Sequence, residues 1–243
     1  MQATLERTEA SLQSELGIWF AALLDELLGK PETVQKAVPG EILFLLDNMP
    51  WWSSWSARLA EVLANGSLMA ARQGGVSAGR QLGIKLSWDF LQPAALAWAE
   101  QNAATLVKNL GEDIRARLRE TIQNGLAGQQ SLYEIRASIQ AMQDDENQAI
   151  FPEWRAGTIA RTEVIRAHSQ GAVLGYKESG VVKGQRWLDG QSGACPKCKG
   201  LHNMVIPLGG KFYIDPQFGD GLPPRHPHCR CGIAPVLEQV DAI

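Results

Sequence analysis

All four cysteines of this 243-residue chain fall between Cys195 and Cys231, and the first 194 residues contain none. A disulfide-framed secreted protein spreads its bridges along the chain, where they close long loops. Four thiols gathered into so short a span read as one local site. They stand as Cys195-Pro196-Lys197-Cys198 and Cys229-Arg230-Cys231, with 30 residues between Cys198 and Cys229. Two residues between cysteines let a tight turn aim both sulfurs at one ion. One residue between them, in extended backbone, puts both side chains on the same face.

Two such pairs can complete a tetrahedral four-sulfur site, and thiolate softness with a closed shell of four favours a structural Zn²⁺. The expected ligands are Cys195, Cys198, Cys229 and Cys231. His202, His226 and His228 lie close enough in sequence to replace one cysteine, with His226 the named substitute. The alternatives are reduced, buried thiol pairs or a disulfide within the knuckle.

The rest of the chain divides in two. Up to residue 150 it reads as helices. Leu5, Leu12, Leu16, Trp19, Phe20, Leu23 and Leu27 repeat mostly at three- and four-residue steps, which draws one apolar stripe along a helix. Pro31 and Val38-Pro39-Gly40 interrupt it. A second helix follows Pro50 through Trp55, Leu59, Val62 and Leu63, and is expected to stop near Gly74-Gly75. Pro93 opens a third, with Leu96, Ala99, Ala103, Leu106 and Leu110 on one side and Ile114, Leu118 and Ile122 continuing to Gly125 and Gly128. Ser131-Leu132-Tyr133-Glu134 has the spacing of a capping box, and Ile135, Ile139 and Met142 face inward behind it. Asp144-Asp145-Glu146-Asn147 marks the break between a helical region (1–150) and a C-terminal module (151–243). From Pro152 a last long helix runs to about Ser179, with Gly180 as its stop.

Beyond Gly180 the texture changes to Gly, Pro and short apolar runs. Gln185-Arg186-Trp187-Leu188 and Lys211-Phe212-Tyr213-Ile214 are the candidate strands. So few strand residues cannot build a core from burial alone, which is why a staple is expected there. The fold class predicted is α+β: a mostly helical N-terminal region followed by a small zinc-stapled α+β module.

Several function classes are disfavoured. The zinc deaminase pattern needs His-x-Glu before Pro-Cys-x-x-Cys, but Gln170 stands two after His168 and Ala194 precedes Cys195. A His-Asn-His nuclease reading of His202-Asn203 lacks the Asp-His pair that would hold a metal and activate water. The Met1-to-Glu6 start has no basic stretch before an apolar core, so no secretory leader is expected. The Gly17–Leu24 run meets Asp25 and Glu26 well short of the ~20 residues a membrane span needs. Residues 151–243 carry net +3 within a chain of net −3. Four zinc-bound thiolates with one Zn²⁺ would bring that +3 to about +1, too little for nucleic-acid binding through bulk charge.

Trp51, Trp52 and Trp55 read as helix entry and core packing, with an aromatic partner surface as the alternative. Arg161 and Glu163, two apart on one helix, cannot pair with each other along it. Each is expected to fix a different piece of neighbouring backbone.

One ordered series of residues resembles a known family, the phage Mu F-like minor head proteins, also called phage head morphogenesis proteins. It comprises Ile159-Ala160-Arg161-Thr162-Glu163, Gly180-Val181, Trp187, Asp189 ahead of Cys195-x-x-Cys198, and the closing Pro223-Pro224-Arg225-His226-Pro227-His228-Cys229-Arg230-Cys231. It covers roughly residues 155–235, with the preceding helices similar to the family's helical lead-in. After Asp189 the chain departs from the commoner Asp-x-Arg-Thr pattern, reading Gly190-Gln191-Ser192-Gly193. The resemblance implies a minor head (capsid) protein of a tailed phage or prophage, located in the virion and in the host cytoplasm during assembly. Its implied partners are portal and capsid proteins, with packaged DNA as a further contact and no membrane. No enzymatic activity is implied; the alternative is a metal-dependent nuclease acting in DNA packaging.

Overall fold

A computed structural model describes residues 2–28, 48–144, 150–151, 153–190, 194–212 and 221–240. The elements among them are α1 (Gln2–Leu28), α2 (Met49–Leu82), α3 (Trp88–Ala127), α4 (Leu132–Asp144), α5 (Glu153–Ser179), β1 (Gly184–Leu188), the single turn α6 (Pro196–Lys199), β2 (Val205–Pro207) and β3 (Gly232–Val236). The molecule is thus mostly helical, with a small antiparallel sheet near its C-terminal end. Pro31, Val38-Pro39-Gly40, the acidic break at 145–147, Pro152 and Tyr213-Ile214 lie outside the described residues.

The chain forms two compact units. One comprises Met1–Ser11, Leu63–Glu100 and Thr158–Ile243; the other comprises Leu12–Val62 and Gln101–Gly157.

In the second unit the helical stripes behave as their periodicity dictates. Leu12, Leu16, Trp19, Phe20, Leu23 and Leu27 of α1 are all buried, as are Ile114, Leu118 and Ile122 of α3. Trp52 and Trp55 are core residues; the Trp19 indole N–H donates to the Trp55 carbonyl at 3.1 Å. Trp51 is half-buried and donates to Glu26 at 2.7 Å. The capping box of α4 is formed: the Glu134 carboxylate accepts the Ser131 N–H at 2.7 Å, and the Ser131 hydroxyl oxygen accepts the Glu134 N–H at 3.3 Å. Ile135 and Ile139 are buried behind it.

Three expectations about the helices are corrected. α3 begins at Trp88, so Pro93 lies inside its opening turns, where only one intrahelical bond is lost. Leu96 is 39% exposed. The buried stripe keeps the expected Ala99, Ala103 and Leu110 but takes Ala95 in place of Leu96 and Val107 in place of Leu106.

The third correction concerns α2, which does not stop at Gly74-Gly75 but continues to Leu82. These glycines permit close approach of another helix. A Cβ on Gly74 would lie 2.9 Å from the Ala172 nitrogen, and one on Gly171 would lie 2.6 Å from the Ala71 carbonyl carbon and 2.7 Å from its Cα. Ala71, Gly74 and Ala78 of α2 therefore meet His168, Gly171, Ala172 and Gly175 of α5 almost backbone to backbone. Gly180, with φ +69°, ends α5 as expected.

The sheet has the order β2-β1-β3, with both pairings antiparallel. Gln185 is opposite Ile206, and Trp187 is opposite Ile233; all four are buried, so the alternation along β1 aims one face at a shared core. Trp187 stacks edge-on against Phe212 with centroids 5.1 Å apart. Tyr176, Ala172 and Val173 of α5 complete the same core, and Cys198, Cys229 and Cys231 belong to it. Lys211 and Phe212 are not in a strand.

Candidate metal centre

The first cysteine pair is set by a one-turn helix. Pro196, with its fixed φ and no N–H, opens α6 directly after Cys195. The Lys199 N–H then donates to the Cys195 carbonyl at 3.0 Å, and the Leu201 N–H donates to that of Cys198 at 3.1 Å. This turn carries both sulfurs to one side. The second pair follows a turn closed by the Cys229 N–H on the His226 carbonyl at 3.1 Å, with His228 in the left-handed region at φ +61°. The two segments are tied together by Arg225, whose guanidinium donates to the Lys197 carbonyl at 2.7 Å.

Five donors converge at this point. Cys195, Cys198 and His226 form one group, Cys198, Cys229 and Cys231 form another, and within each group the donor atoms lie within 4.8 Å of one another. Cys198 is common to both. His226 Nε2 is 3.3 Å from the Cys195 sulfur and 3.2 Å from that of Cys198, while the Cys198 and Cys229 sulfurs are 4.0 Å apart. A tetrahedral Zn²⁺ with ordinary bond lengths separates two sulfurs by ~3.8 Å and a sulfur from a nitrogen by ~3.5 Å. The spacing therefore suits such an ion. The cluster, which could hold a metal ion, borders a cleft of about 220 Å³.

The tautomer of His226 is set by its neighbour. Its Nδ1 lies 2.7 Å from the Pro227 carbonyl oxygen, which can only accept, so Nδ1 carries a proton. In the neutral ring Nε2 then turns its lone pair to the two sulfurs, the arrangement metal-ligating histidines use.

Ionisation within the cluster is uneven. A hydrogen bond from Cys231 is the main reason the Cys229 thiol is drawn down to about 5. Burial, then the Cys229 charge, pushes Cys198 up to about 12. Cys231 is raised by donating to Cys229 and by burial. Burial pushes Cys195 up, but hydrogen bonds with Cys198 and the His226 charge outweigh it and leave the thiol below its ordinary value. Burial acts downward on His226, and its bond to the Pro227 carbonyl together with the nearby thiolates raises it overall. One thiolate thus suppresses its neighbours, and a divalent cation is what allows several to ionise together.

The other two histidines face elsewhere. His202 Nδ1 meets Asp189, accepting its backbone N–H at 3.3 Å and lying 3.2 Å from its carboxylate. His228 meets Thr158 and Arg161 of α5. Arg161 also pairs with Glu9 of α1, whereas Glu163 pairs with Arg166 on its own helix; both of these contacts are to side chains rather than to the neighbouring backbone expected. The role of His228 is one that sequence reasoning missed. Its spacing from His226 would put both imidazoles on one face in extended backbone; the left-handed φ of +61° at His228 turns its ring the other way.

Residues 112–234 match the family model described as phage Mu protein F like protein. This spans just over half of the chain. The chain belongs to the phage Mu F-like head morphogenesis family. The match begins within α3, well ahead of the motif series, and so takes in α4 and α5 as well as the cysteine cluster. No curated protein and no solved structure matches the chain. Among the described residues, no helix is long and apolar enough to cross a membrane.

Proposed function

We propose that this chain is a minor head protein of a tailed phage or prophage that binds portal or capsid proteins during head assembly. We further propose that its cysteine cluster holds one structural Zn²⁺. The observation that carries the reading is the family match over residues 112–234, which takes in the later helices and the cysteine cluster together. In this reading the helical region 1–150 offers the assembly surface. Residues 151–243 form the stapled module, with Cys195, Cys198, Cys229 and Cys231 as the expected ligands and His226 competing for one position.

A structural rather than catalytic ion is supported by donor number. Five donors for a four-coordinate ion leave no position for water or substrate, which a catalytic zinc needs. The nuclease alternative gains nothing from His202, whose ring is engaged by Asp189. The metal also explains how so small a sheet is held: a bound ion that links α6 to the start of β3 replaces the core area that three short strands do not provide.

Two measurements test this. Elemental analysis of the purified chain is expected to give one zinc per chain. Co-expression of the tagged chain with the portal and capsid proteins of the same phage is expected to retain portal or capsid protein on the tag and to place the chain in purified heads. A metal-free chain refutes the zinc, and heads that assemble without the chain while portal and capsid stay unbound refute the assembly role.

A further inference from the structure

The turn that carries the cysteines also reaches back to the first turns of α1. Glu9 is buried, and a buried carboxylate is costly unless paired. Its Oε2 accepts from Arg161 Nε at 3.3 Å, and its Oε1 faces Arg230 Nη1 at 3.7 Å. Arg230 stands between Cys229 and Cys231, so its backbone goes where the cysteines go.

His228 supplies a second link. Arg161 Nη1 lies 3.3 Å from His228 Nδ1. A guanidinium only donates, so Nδ1 accepts, and the neutral ring keeps its proton on Nε2. That proton is directed at Thr158 Oγ1, 2.7 Å away. Both nitrogens of His228 are thereby committed to α5. The left-handed backbone at His228 turns its ring away from the sulfurs that His226 faces. The two segments singled out in the sequence, Ile159–Glu163 and the Cys-Arg-Cys close, thus meet on one carboxylate of the N-terminal helix.

We propose that the metal cluster works as a clamp on residues 2–11. With the ion bound, His228 and Arg230 are held where, together with Arg161, they pair the buried Glu9 and seat the start of α1. With the ion removed the turn relaxes, Glu9 loses Arg230 and the ordering of Arg161, and the start of α1 is released. The inference rests on the zinc reading and adds a consequence to it: metal occupancy controls a segment more than 180 residues away in sequence. Thr8, held by Gln73 at 2.8 Å, contributes an anchor that does not depend on the metal, so release is partial.

Hydrogen exchange on the full-length chain tests the clamp, with zinc content measured on the same samples. Stripping zinc from the wild type with a chelator is expected to speed exchange of amides 6–11 at least tenfold, while amides 112–122 of α3 stay unchanged. Glu9→Gln, which alters no residue of the cluster, is expected to keep its zinc and to show fast exchange at 6–11 even when loaded, with little further change on chelation. His228→Ala is expected to behave in the same way.

A wild type that binds zinc stoichiometrically but exchanges 6–11 equally with and without it overturns the clamp and leaves the zinc reading standing. Loaded Glu9→Gln and His228→Ala chains that exchange like the wild type overturn the proposed path. A chain that takes up no zinc overturns both readings.

Discussion

Replacing Gly171 with alanine tests the helix contact at the centre of the first unit. The added Cβ would overlap the Ala71 carbonyl, 2.6 Å from its carbon and 2.7 Å from the Ala71 Cα. Carbon atoms rest at ~3.5–4.0 Å, so α2 and α5 must part locally by about 1 Å. Neither obstacle is a flexible side-chain end that can swing aside. A gap of ~0.5–1 Å forfeits a quarter to a half of each dispersion contact across the seam. The seam involves the fully buried Ala70, Ala71, Ala78 and Ala167.

Overpacking costs ~1–3 kcal/mol in general, and a backbone obstacle puts this site at the upper end. Against this, alanine is favoured over glycine inside a helix by ~1 kcal/mol. The net expectation is a loss of about 2 kcal/mol, or a fall in Tm of roughly 4–8 °C for a chain of this size. The control is Gly17→Ala in α1, where a Cβ would meet nothing within 4 Å; there propensity acts alone and the change should stabilise by ~0.5–1 kcal/mol. Thermal and urea unfolding followed by circular dichroism measures both. If Gly171→Ala proves as stable as Gly17→Ala, the close approach of α2 and α5 is wrong.

Chelation, or Cys229→Ser, is expected to loosen residues 184–236 while helical circular dichroism stays largely intact; unchanged proteolysis of that segment would count against the staple. Ser131→Ala removes the hydroxyl that caps α4 and should cost ~1 kcal/mol, read as faster amide exchange at 133–136. His168 Nε2 is enclosed without a hydrogen-bond partner among the described residues, and burial holds the ring's pKa down at about 4. The unfolded chain, titrating near ~6.5, takes up a proton as the pH falls through this window that the folded state refuses. Stability is therefore full above pH ~6.5 and declines towards pH ~4, by up to ~3 kcal/mol. Urea titrations at both ends should show a smaller decline for His168→Gln, and an equal decline in both chains would refute the assignment.

The sequence by itself determined whatever depends on near neighbours along the chain. The α1 stripe from Leu5 to Leu27, the Ser131–Glu134 cap and the Gly180 stop are relations over three or four residues, and the helix repeat makes them readable without a partner. The cysteine spacing is local in the same sense, so two thiol pairs were legible as one site. The Gln185–Leu188 strand was legible too, from its alternation and bulky apolar residues.

Only the tertiary structure decided matters that turn on which distant segments meet. Gly74 and Gly75 read as a helix end because glycine is a poor helix former; inside α2, Gly74 stands where the backbone of α5 comes close enough to exclude a side chain, and Gly75 faces the Leu91 side chain of α3. Leu96 and Ala95 are adjacent in sequence, and which of them is buried depends on how α3 is rotated against its neighbours. β2, at three residues, is too short for periodicity to reveal, and β3 is as long as β1 but carries Pro235, which reads against a strand; both pair with β1. Of three histidines within four residues of a cysteine, the turn at Pro227 sends His226 to the sulfurs and His228 to α5. That divergence is set by backbone direction and by the partners waiting on each side, neither of which a spacing can encode.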